Sequence, residues 1–484
     1  MANKKTQAKF LSNAAFLIFV NLIVKPFWIF AIDRKVQNTV GEAQYGEYFA
    51  LFNYTFLFYV LLDFGINNFN SRAIAQNRDA LSEYLPNMLI VKSGLAVAYL
   101  ALCFLFAQFQ TFPTSWLLLM CVNQILISFI LYFRSNLQGL HHFRTDSFIS
   151  VLDRLLMIII CAALLYGSFT TQVFRIEYFI YAQTFAYSIA FLSSFFLVLK
   201  ELKSFDFSFN TKLFIPILKK TYPFALLGLL MSLYNRIDAV MIKYLLGEAG
   251  DAESGIYAAA YRLLDALNMV AVLLATILLP MFARMFQKNE DVRPLLAFAA
   301  KIVFVGATIG AVTCFFFKMP LMELLYTQAR PYYATIFGYL ILSFIAISSV
   351  YVYGTLLTAK GSLKVLNIIA LAGVVVNISL NYYFIPIYKA LGATQVTFVT
   401  QIVVAFAHVV ATHQILKFSF RWQTILQLVL FFVACCGVAF FTAQISFLIW
   451  QYAFLLSLAA CSVLAVLLRL VDIGGLLNLV RNVQ

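Results

Sequence analysis

Two short segments of this sequence repeat one pattern: residues 45–53 read YGEYFALFN and residues 254–262 read SGIYAAAYR. A glycine, a tyrosine two positions later and an alanine two positions after that recur in the same register. Each segment opens an apolar stretch, and the stretch before it contains a proline, Pro26 in one case and Pro223 in the other. The pattern therefore predicts two copies of one helical unit within the chain.

The composition is typical of an integral membrane protein. Of the 484 residues, 63% are hydrophobic and 11% are charged, whereas soluble domains carry roughly 25% charged residues. The net charge of +14 does not indicate nucleic-acid binding, because the basic residues are scattered over short connections instead of forming one patch. The seven cysteines lie in apolar stretches without a CxxC pair, so we interpret them as small buried hydrophobes.

We predict 14 transmembrane helices, because 14 stretches approach the length of about 20 apolar residues that a spanning helix needs. They lie at 10–32, 46–67, 86–108, 114–133, 148–167, 176–199, 217–246, 255–282, 296–318, 333–358, 364–386, 391–416, 424–444 and 447–470. The predicted domains are an N-terminal lobe at 1–203, a cytoplasmic linker at 204–216, a C-terminal lobe at 217–420 and two appended helices at 421–484. The predicted fold class is thus an all-α membrane protein with two six-helix lobes related by a pseudo-twofold axis along the membrane normal.

The basic residues predict the orientation of these helices. If the N-terminus is cytoplasmic, the cytoplasmic segments hold about three times as many lysines and arginines as the segments on the other side, as the positive-inside rule requires. We therefore predict that both termini are cytoplasmic. The basic start followed by a long apolar run is interpreted as an uncleaved first helix.

Charged and polar side chains inside the spans are the candidate binding residues. An ionisable group near the bilayer centre costs about 2.5–3.5 kcal/mol on insertion scales, so it is expected to face a hydrated cavity, to pair or to bind a ligand. The candidates are Lys25, which precedes Pro26, together with Arg236 and Arg262. Asn53 joins them because it occupies the repeat position that matches Arg262.

A second set of residues is interpreted as ion-coupling or structural charge pairs. Its members are Asp238, Asp265, Asp63 and Arg72. Arg262 and Asp265 lie three residues apart, so they can pair along one helix face. Pairs between helices, Arg236 with Asp265 or Asp238 with Arg262, are the structural alternative to a binding role. Asp63 and Arg72 are placed near the cytoplasmic end of the second span, where a structural role is equally compatible with the pattern.

The sequence gives little support to an enzyme. It contains no GxxxxGK[ST] loop for ATP. His408 and His413 are five residues apart on one predicted helix, which is unsuitable for a shared metal face. We therefore predict no catalytic residue, no metal site and no cofactor, and coupling to H⁺ or Na⁺ stays open.

Three segments resemble a known family. YGEYFALFNYTFLFYVLLDFGINNFNSRAIAQN (45–77) is similar to the second helix of polysaccharide exporters, with a Gly-x-Tyr start, an Asp-Phe-Gly near the end and an arginine after it. NRIDAVMIKYLLGEAGDAESGIYAAAYRLLDAL (235–267) resembles their seventh and eighth helices, and LQGLHHFRTDSFISVLDRL (137–155) resembles the connection after their fourth helix. The family is the Wzx-like O-antigen and capsule flippases, the oligosaccharide-flippase branch of the MOP superfamily.

The resemblance implies a V-shaped pair of lobes around a central cavity, and alternating access that carries an undecaprenyl-pyrophosphate-linked oligosaccharide across the bacterial inner membrane. Cationic side chains at mid-depth agree with an anionic headgroup, because arginine binds phosphate bidentately. The implied partners are the lipid-linked oligosaccharide, membrane lipids, a polysaccharide polymerase and glycosyltransferases, with no nucleic acid among them.

Other functions stay open. MurJ-like lipid II flippases and MATE-type drug or cation antiporters are relatives of the same superfamily, and Asp238 and Asp265 suit a cationic drug. A polysaccharide polymerase or ligase would need a long extracytoplasmic segment for its catalytic groups, and the connection GEAGDAES (247–254) is too short. A membrane scaffold without transport is a further alternative.

The predicted topology can be tested with reporter fusions. Fusions after Phe207 and after Glu290 should report the cytoplasm, and a fusion after Gly250 should report the opposite side. A reversed signal at any one of these three positions would contradict the predicted topology.

Overall fold

The computed structural model describes residues 20–77, 80–109, 111–167, 173–202, 211–418, 422–445 and 448–470. Over these ranges the chain is helical, with no β-strand. Helix α1 joins residues 20–27, a π-helical stretch at Trp28–Asp33 and the segment Arg34–Val40. The other helices are α2 Glu42–Leu57, α3 Ile66–Gln76, α4 Ala80–Ala107, α5 Thr114–Gly139, α6 Phe143–Tyr166, α7 Ile176–Leu199, α8 Thr211–Leu246, α9 Glu248–Gln287, α10 Arg293–Phe316, α11 Lys318–Leu325, α12 Pro331–Lys360, α13 Leu363–Leu416, α14 Trp422–Ala443 and α15 Trp450–Leu467.

Eleven of these helices are long and apolar enough to cross a membrane. Large apolar side chains point outward along them, for example Val97, Phe406 and Phe441, which are 67%, 69% and 70% exposed. Exposed apolar surface of this extent suits contact with lipid, because monomeric soluble proteins rarely carry large apolar patches. The all-α fold class is confirmed, and the chain is a multi-pass membrane protein.

The predicted number of 14 spans stays a prediction. The first predicted span, 10–32, begins outside the described residues. Helix α2 contains 16 residues, fewer than a full span usually needs. Helix α13 covers two predicted spans and is interrupted at Lys389, whose backbone has φ 56° and ψ −135°.

The chain forms two compact units, Met1–Ala258 and Ala259–Gln484. In the first unit, α3, α4, α5 and α7 share a core that includes Leu85, Phe133 and Val198. In the second, α10 packs on α12 and also on α14 and α15, where Val312, Phe431, Cys435 and Cys461 are among the buried residues. The lobes predicted at 1–203 and 217–420 stay predictions.

The second predicted span is interrupted. Helix α2 ends at Leu57, a 3₁₀ turn covers Tyr59–Leu62, and Gly65 has φ 78° before α3 begins. The freed carbonyl of Leu62 accepts hydrogen bonds from the Lys92 ammonium at 2.7 Å and the Ser128 hydroxyl at 3.0 Å. Lys92 is only 1% exposed. A broken helix inside a membrane protein needs such partners, because lipid supplies none for backbone groups.

The N-terminal parts of α2 and α9 meet in backbone contact at the two glycines that the repeat aligns. A β-carbon on Gly46 would lie 1.8 Å from the carbonyl oxygen of Asp251, and one on Gly255 would lie 2.0 Å from that of Glu42. The carbonyl of Gly255 also accepts a hydrogen bond of 2.8 Å from the Gln37 side chain. Both positions therefore require glycine for this packing.

An ion pair stabilises the same crossing. The Lys243 ammonium on α8 lies 3.3 Å from the Glu47 carboxylate on α2 and also pairs with Asp251 on α9. Lys243 is 5% exposed, so its charge depends on these two carboxylates. Three helices are joined here by one cation.

Alanine substitutions test the glycine contact. Gly46→Ala and Gly255→Ala should each lower the stability of the detergent-solubilised protein by about 3 kcal/mol or more, because a backbone must move to admit the methyl group. Gly94→Ala is the control, since a β-carbon there meets nothing within 4 Å. Thermal melts of the three variants measure the effect. A wild-type melting temperature for Gly46→Ala would contradict the contact.

Candidate functional site

Two buried aspartates hold the starts of the repeated helices. Asp33 on α1 is 2% exposed and accepts a hydrogen bond of 2.7 Å from the Tyr45 hydroxyl on α2. Asp238 on α8 is fully buried and accepts one of 2.9 Å from the Tyr257 hydroxyl on α9. In both cases the tyrosine lies on the helix that contains the contact glycine, and the carboxylate lies on the helix before it in the chain.

The sequence predicted Asp238 as an ion-coupling or charge-pair residue, and its hydrogen bond with Tyr257 gives it a defined structural partner. Asp33 was not predicted. It lies one residue beyond the predicted end of the first span, where a carboxylate next to Arg34 and Lys35 looks like an ordinary interfacial charge. Its burial could have been inferred only by aligning the two repeats through their first helices.

Arg236 lies over an aromatic ring. Its guanidinium carbon is 5.5 Å from the centroid of the Phe56 ring on α2, which packs against α8. This distance is within the range of a cation–π interaction, which is worth about 0.5–2 kcal/mol. The side chain is partly exposed. The Arg236 guanidinium, a charge in the otherwise apolar α8, thus lies against the face of the Phe56 ring on α2.

Phe56 belongs to an aromatic ladder, which we define as Tyr48, Phe52 and Phe56 on α2 and Tyr59 in the 3₁₀ turn after it. Successive rings are stacked with centroid distances of 6.2, 6.2 and 5.5 Å. The spacing of four residues puts the three rings of α2 on one side of that helix, and the Tyr59 ring continues the stack. The aromatic ladder therefore gives α2 one continuous aromatic side, with Arg236 at its third ring.

Asn53, the predicted binding residue on α2, is 1% exposed. Its amide nitrogen donates to the carbonyl of Phe49 at 2.8 Å, and its Oδ1 oxygen makes no hydrogen bond to the described residues. A buried amide oxygen without a partner costs roughly 1–3 kcal/mol.

Lys25 lies on α1 and is partly exposed. Its ammonium makes no hydrogen bond or ion pair with any described residue, whereas Asp153 and Arg154 of α6 are close enough to act on it electrostatically. One turn earlier, the Asn21 amide donates to the Ser150 hydroxyl at 3.0 Å, which fixes α1 against α6. Lys25 therefore faces α6.

Arg262 and Asp265 lie in the second unit. Nη1 of Arg262 is 3.9 Å from Oδ2 of Asp265, and the side chains are 15% and 18% exposed. The spacing of three residues on α9 brings them to one face, which is the pairing that the sequence allowed. At this distance Arg262 and Asp265 form a weak ion pair without a direct hydrogen bond.

Asp63 and Arg72 belong to the broken end of the second predicted span. Oδ1 of Asp63 accepts a hydrogen bond of 3.3 Å from the backbone amide of Asn67 in the first turn of α3. The backbone of Arg72 lies in α3, but its side chain is outside the described part of the chain. Lys92, which was not predicted as a site residue, lies within electrostatic range of Asp63. The sequence signal for Lys92 is a lysine inside the otherwise apolar third predicted span, 86–108.

The structure thus brings part of the predicted site together. Arg236 and Asn53 lie on the neighbouring helices α8 and α2, and Lys25 lies on α1 of the same unit. Arg262 belongs to the second unit, where its described partner is Asp265.

Solved structures with the same fold are membrane transporters. The chain is similar to the lipid II flippase MurJ in an inward closed conformation, with TM-score 0.72, 15% identity and coverage of 94% of this chain and 97% of that chain. It is similar to a MOP superfamily transporter from Pyrococcus furiosus, described by the reverse polarity of its binding pocket, with TM-score 0.61, 16% identity and coverage of 85% and 96%. An inward-facing multidrug resistance MATE transporter of the MOP superfamily gives TM-score 0.60, 15% identity and coverage of 83% and 98%.

The protein is therefore an all-helical membrane protein with the MOP transporter fold. The family model described as "Polysaccharide biosynthesis protein" matches residues 10–286, more than half of the chain. The chain belongs to this family. No curated protein matches the sequence.

Removal of single hydroxyls tests the two aspartate contacts. Tyr45→Phe and Tyr257→Phe should each lower the free energy of unfolding by about 1–3 kcal/mol, because a buried carboxylate loses a donor. Tyr383→Phe, at a residue 69% exposed, is the matched control and should leave stability unchanged. Thermal melts in detergent give the comparison. Equal melting temperatures for all three variants would mean that neither hydrogen bond contributes.

Proposed function

We propose that this protein is a flippase that translocates an undecaprenyl-pyrophosphate-linked oligosaccharide across the bacterial inner membrane. The cargo would be the repeat unit of an O-antigen, a capsule or an exopolysaccharide. Membership of the polysaccharide biosynthesis family supports the cargo class, and the MOP transporter fold supports the transport reaction. Both termini would be cytoplasmic, as the distribution of basic residues predicts.

The observation that carries the proposal is Arg236, held over Phe56 inside a membrane helix. An arginine is always charged and offers a planar set of donors that matches two phosphate oxygens. The ring face keeps the guanidinium in place at little desolvation cost. In this proposal Arg236, Lys25 and Arg262 bind the pyrophosphate, and Asn53 accepts a hydrogen bond from the cargo.

The two predicted six-helix lobes would move relative to each other to expose this site first to one side and then to the other. Without an ATP-binding loop in the sequence, the driving force would be an ion gradient or removal of the product. Asp238, Asp265, Asp63 and Arg72 are the residues proposed for ion coupling or for charge pairing. A polymerase and glycosyltransferases of the same pathway are the proposed partners.

A lipid II flippase is the second candidate, because MurJ gives a TM-score of 0.72 over 94% of this chain. A drug antiporter is the third, since the chain shares its fold with MATE transporters. Carboxylates are the cavity groups that a cationic drug requires, whereas the partly exposed charges of the first unit include the cations Lys25 and Arg236. The three candidates therefore differ in the charge of their cargo and in the pathway that supplies it.

Deletion of the gene separates these candidates. We expect loss of surface polysaccharide and accumulation of lipid-linked repeat units on the cytoplasmic face of the membrane. Sensitivity to cationic drugs with intact polysaccharide would instead identify an antiporter. Arrest of cell-wall synthesis with accumulation of lipid II would identify a lipid II flippase.

Substitutions test the proposed cations in the complemented deletion strain. Arg236→Ala should abolish export while the protein stays in the membrane, and Arg236→Lys should restore export only in part, because the charge is kept but the bidentate fork is lost. Immunoblots of membranes control for abundance. Full export by Arg236→Ala would remove Arg236 from the binding site.

A double substitution decides the role of Arg262. If Arg262 is only the partner of Asp265, the single variant Arg262→Ala leaves a carboxylate without its cation, and combining it with Asp265→Ala should restore folding and export. If Arg262 binds the cargo, the double variant should fold and still fail to export. The two outcomes exclude each other.

A further inference from the structure

We propose that Arg154 of α6 and Lys25 of α1 form a subsite for the phosphate groups of the lipid-linked cargo. This inference rests on the proposed function and adds to it Arg154, a residue to which neither the family resemblance nor the sequence pattern gives a binding role. The subsite lies entirely within the first unit and is built from α1, α6 and α7.

The register of α1 on α6 brings the two cations together. The hydrogen bond of 3.0 Å between Asn21 and Ser150 joins the helices at one level. Lys25 and Arg154 each lie four residues further along their helices, so each returns to the face that carries this bond. The electrostatic influence of Arg154 on Lys25 agrees with their closeness. The proximity of two like charges inside a membrane protein is unfavourable unless negative charge offsets both of them.

Aromatic rings hold the guanidinium of Arg154 in place. Its central carbon is 5.6 Å from the Trp28 ring of α1 and 5.9 Å from the Tyr187 ring of α7. Trp28 is itself stacked on Phe179 at 5.7 Å. Rings fix the plane of the guanidinium but leave its edge donors for hydrogen bonds. One of these donors is engaged by the Tyr187 hydroxyl, and 25% of the Arg154 side chain stays exposed.

The charges around the subsite leave a positive excess. Arg134, the next cation near Lys25, is engaged by Asp146 at 2.6 Å. Asp153 lies 3.6 Å from Arg154, beyond hydrogen-bond distance, and is the carboxylate that faces both Arg154 and Lys25. Two cations against one carboxylate therefore give a local charge that a phosphate group complements.

The subsite is continuous with the aromatic ladder of α2. Tyr187, which carries Arg154 on its face, accepts a hydrogen bond of 3.3 Å from the Gln183 amide. The oxygen of that amide accepts one of 3.5 Å from Tyr48, the first ring of the ladder. Arg154 thus lies next to the beginning of the ladder, and Arg236 lies at its third ring. A diphosphate headgroup bound at Lys25 and Arg154 would have aromatic surface beside it along α2.

The experiment measures binding of undecaprenyl pyrophosphate to the full-length protein in phosphatidylcholine nanodiscs. Arg154→Gln and Lys25→Gln should each raise the dissociation constant about tenfold, as expected for loss of one charge-assisted hydrogen bond. The double variant should lose less than the product of the two effects, because both cations act on one headgroup. Arg154→Lys should lose only part of the affinity, since the charge is kept.

Lys35→Gln is the matched control. Lys35 also lies on α1 and over an aromatic ring, that of Tyr166 at 5.9 Å, but away from the subsite. This variant should bind like the wild type. Thermal melts of each nanodisc sample separate binding from folding: a purely structural role of Arg154 would lower the melting temperature and leave the affinity of the folded protein unchanged. Arg154→Lys and Lys25→Gln keep the test valid if Arg154→Gln does not fold.

The competing outcomes are distinct. Wild-type affinity in the Arg154 and Lys25 variants would overturn the subsite and leave the proposed flippase function standing. No binding of undecaprenyl pyrophosphate by the wild type would overturn both. If phosphatidylglycerol binds with the same dependence on Arg154 and displaces the diphosphate, the subsite holds membrane phospholipid and the proposal is wrong. If inorganic pyrophosphate competes and phosphatidylglycerol does not, the diphosphate is the recognised group.

Discussion

The contact between Gly46 and Gly255 constrains everything around it. Because no side chain separates the two backbones, the N-terminal parts of α2 and α9 cross so closely that a β-carbon on either glycine would overlap the backbone of the other helix. This crossing sets the position of Tyr45 against Asp33 on one side and of Tyr257 against Asp238 on the other. It also fixes the rotation of α2, so that one side of that helix carries the stacked rings and faces α8 with its cation. The geometry of the candidate site follows from this packing.

Four cations of the first unit differ in how their charge is held. Lys92 and Lys243 are almost fully buried, and each is held by strong partners, a carbonyl with a hydroxyl in one case and two carboxylates in the other. Such cations stabilise a broken helix or a helix crossing, and two of the three donors of each ammonium are already engaged. Arg154 and Arg236 are partly exposed and lie against aromatic faces. A ring reduces the cost of placing a guanidinium in the membrane without occupying all its donors.

The sequence was sufficient for the class and for much of the helix placement, because long apolar runs with so little charge are incompatible with a soluble fold. The repeat aligned Gly46 with Gly255, but an alignment of two sequence positions does not show that the two residues are in contact. The 3₁₀ turn after α2 could not be predicted from hydropathy, because its residues are as apolar as those of a helix. Lys92 is a charge inside the third predicted span, but its partner is a backbone carbonyl of another segment, and such a contact leaves no sequence signal. Arg154 was missed for the same reason, since its surroundings come from three helices.

A transporter for an anionic lipid must bind the headgroup and then release it. A cation fully neutralised by a carboxylate has little affinity to offer, and a cation exposed to lipid costs several kcal/mol. Arg154 lies between these limits, because two rings, the Tyr187 hydroxyl and a carboxylate at 3.6 Å share its charge without a close ion pair that would neutralise it. Arg236 likewise lies against a ring, that of Phe56. An arginine held against aromatic rings can therefore bind the headgroup with moderate affinity, so that the cargo binds at one stage of the transport cycle and is released at another.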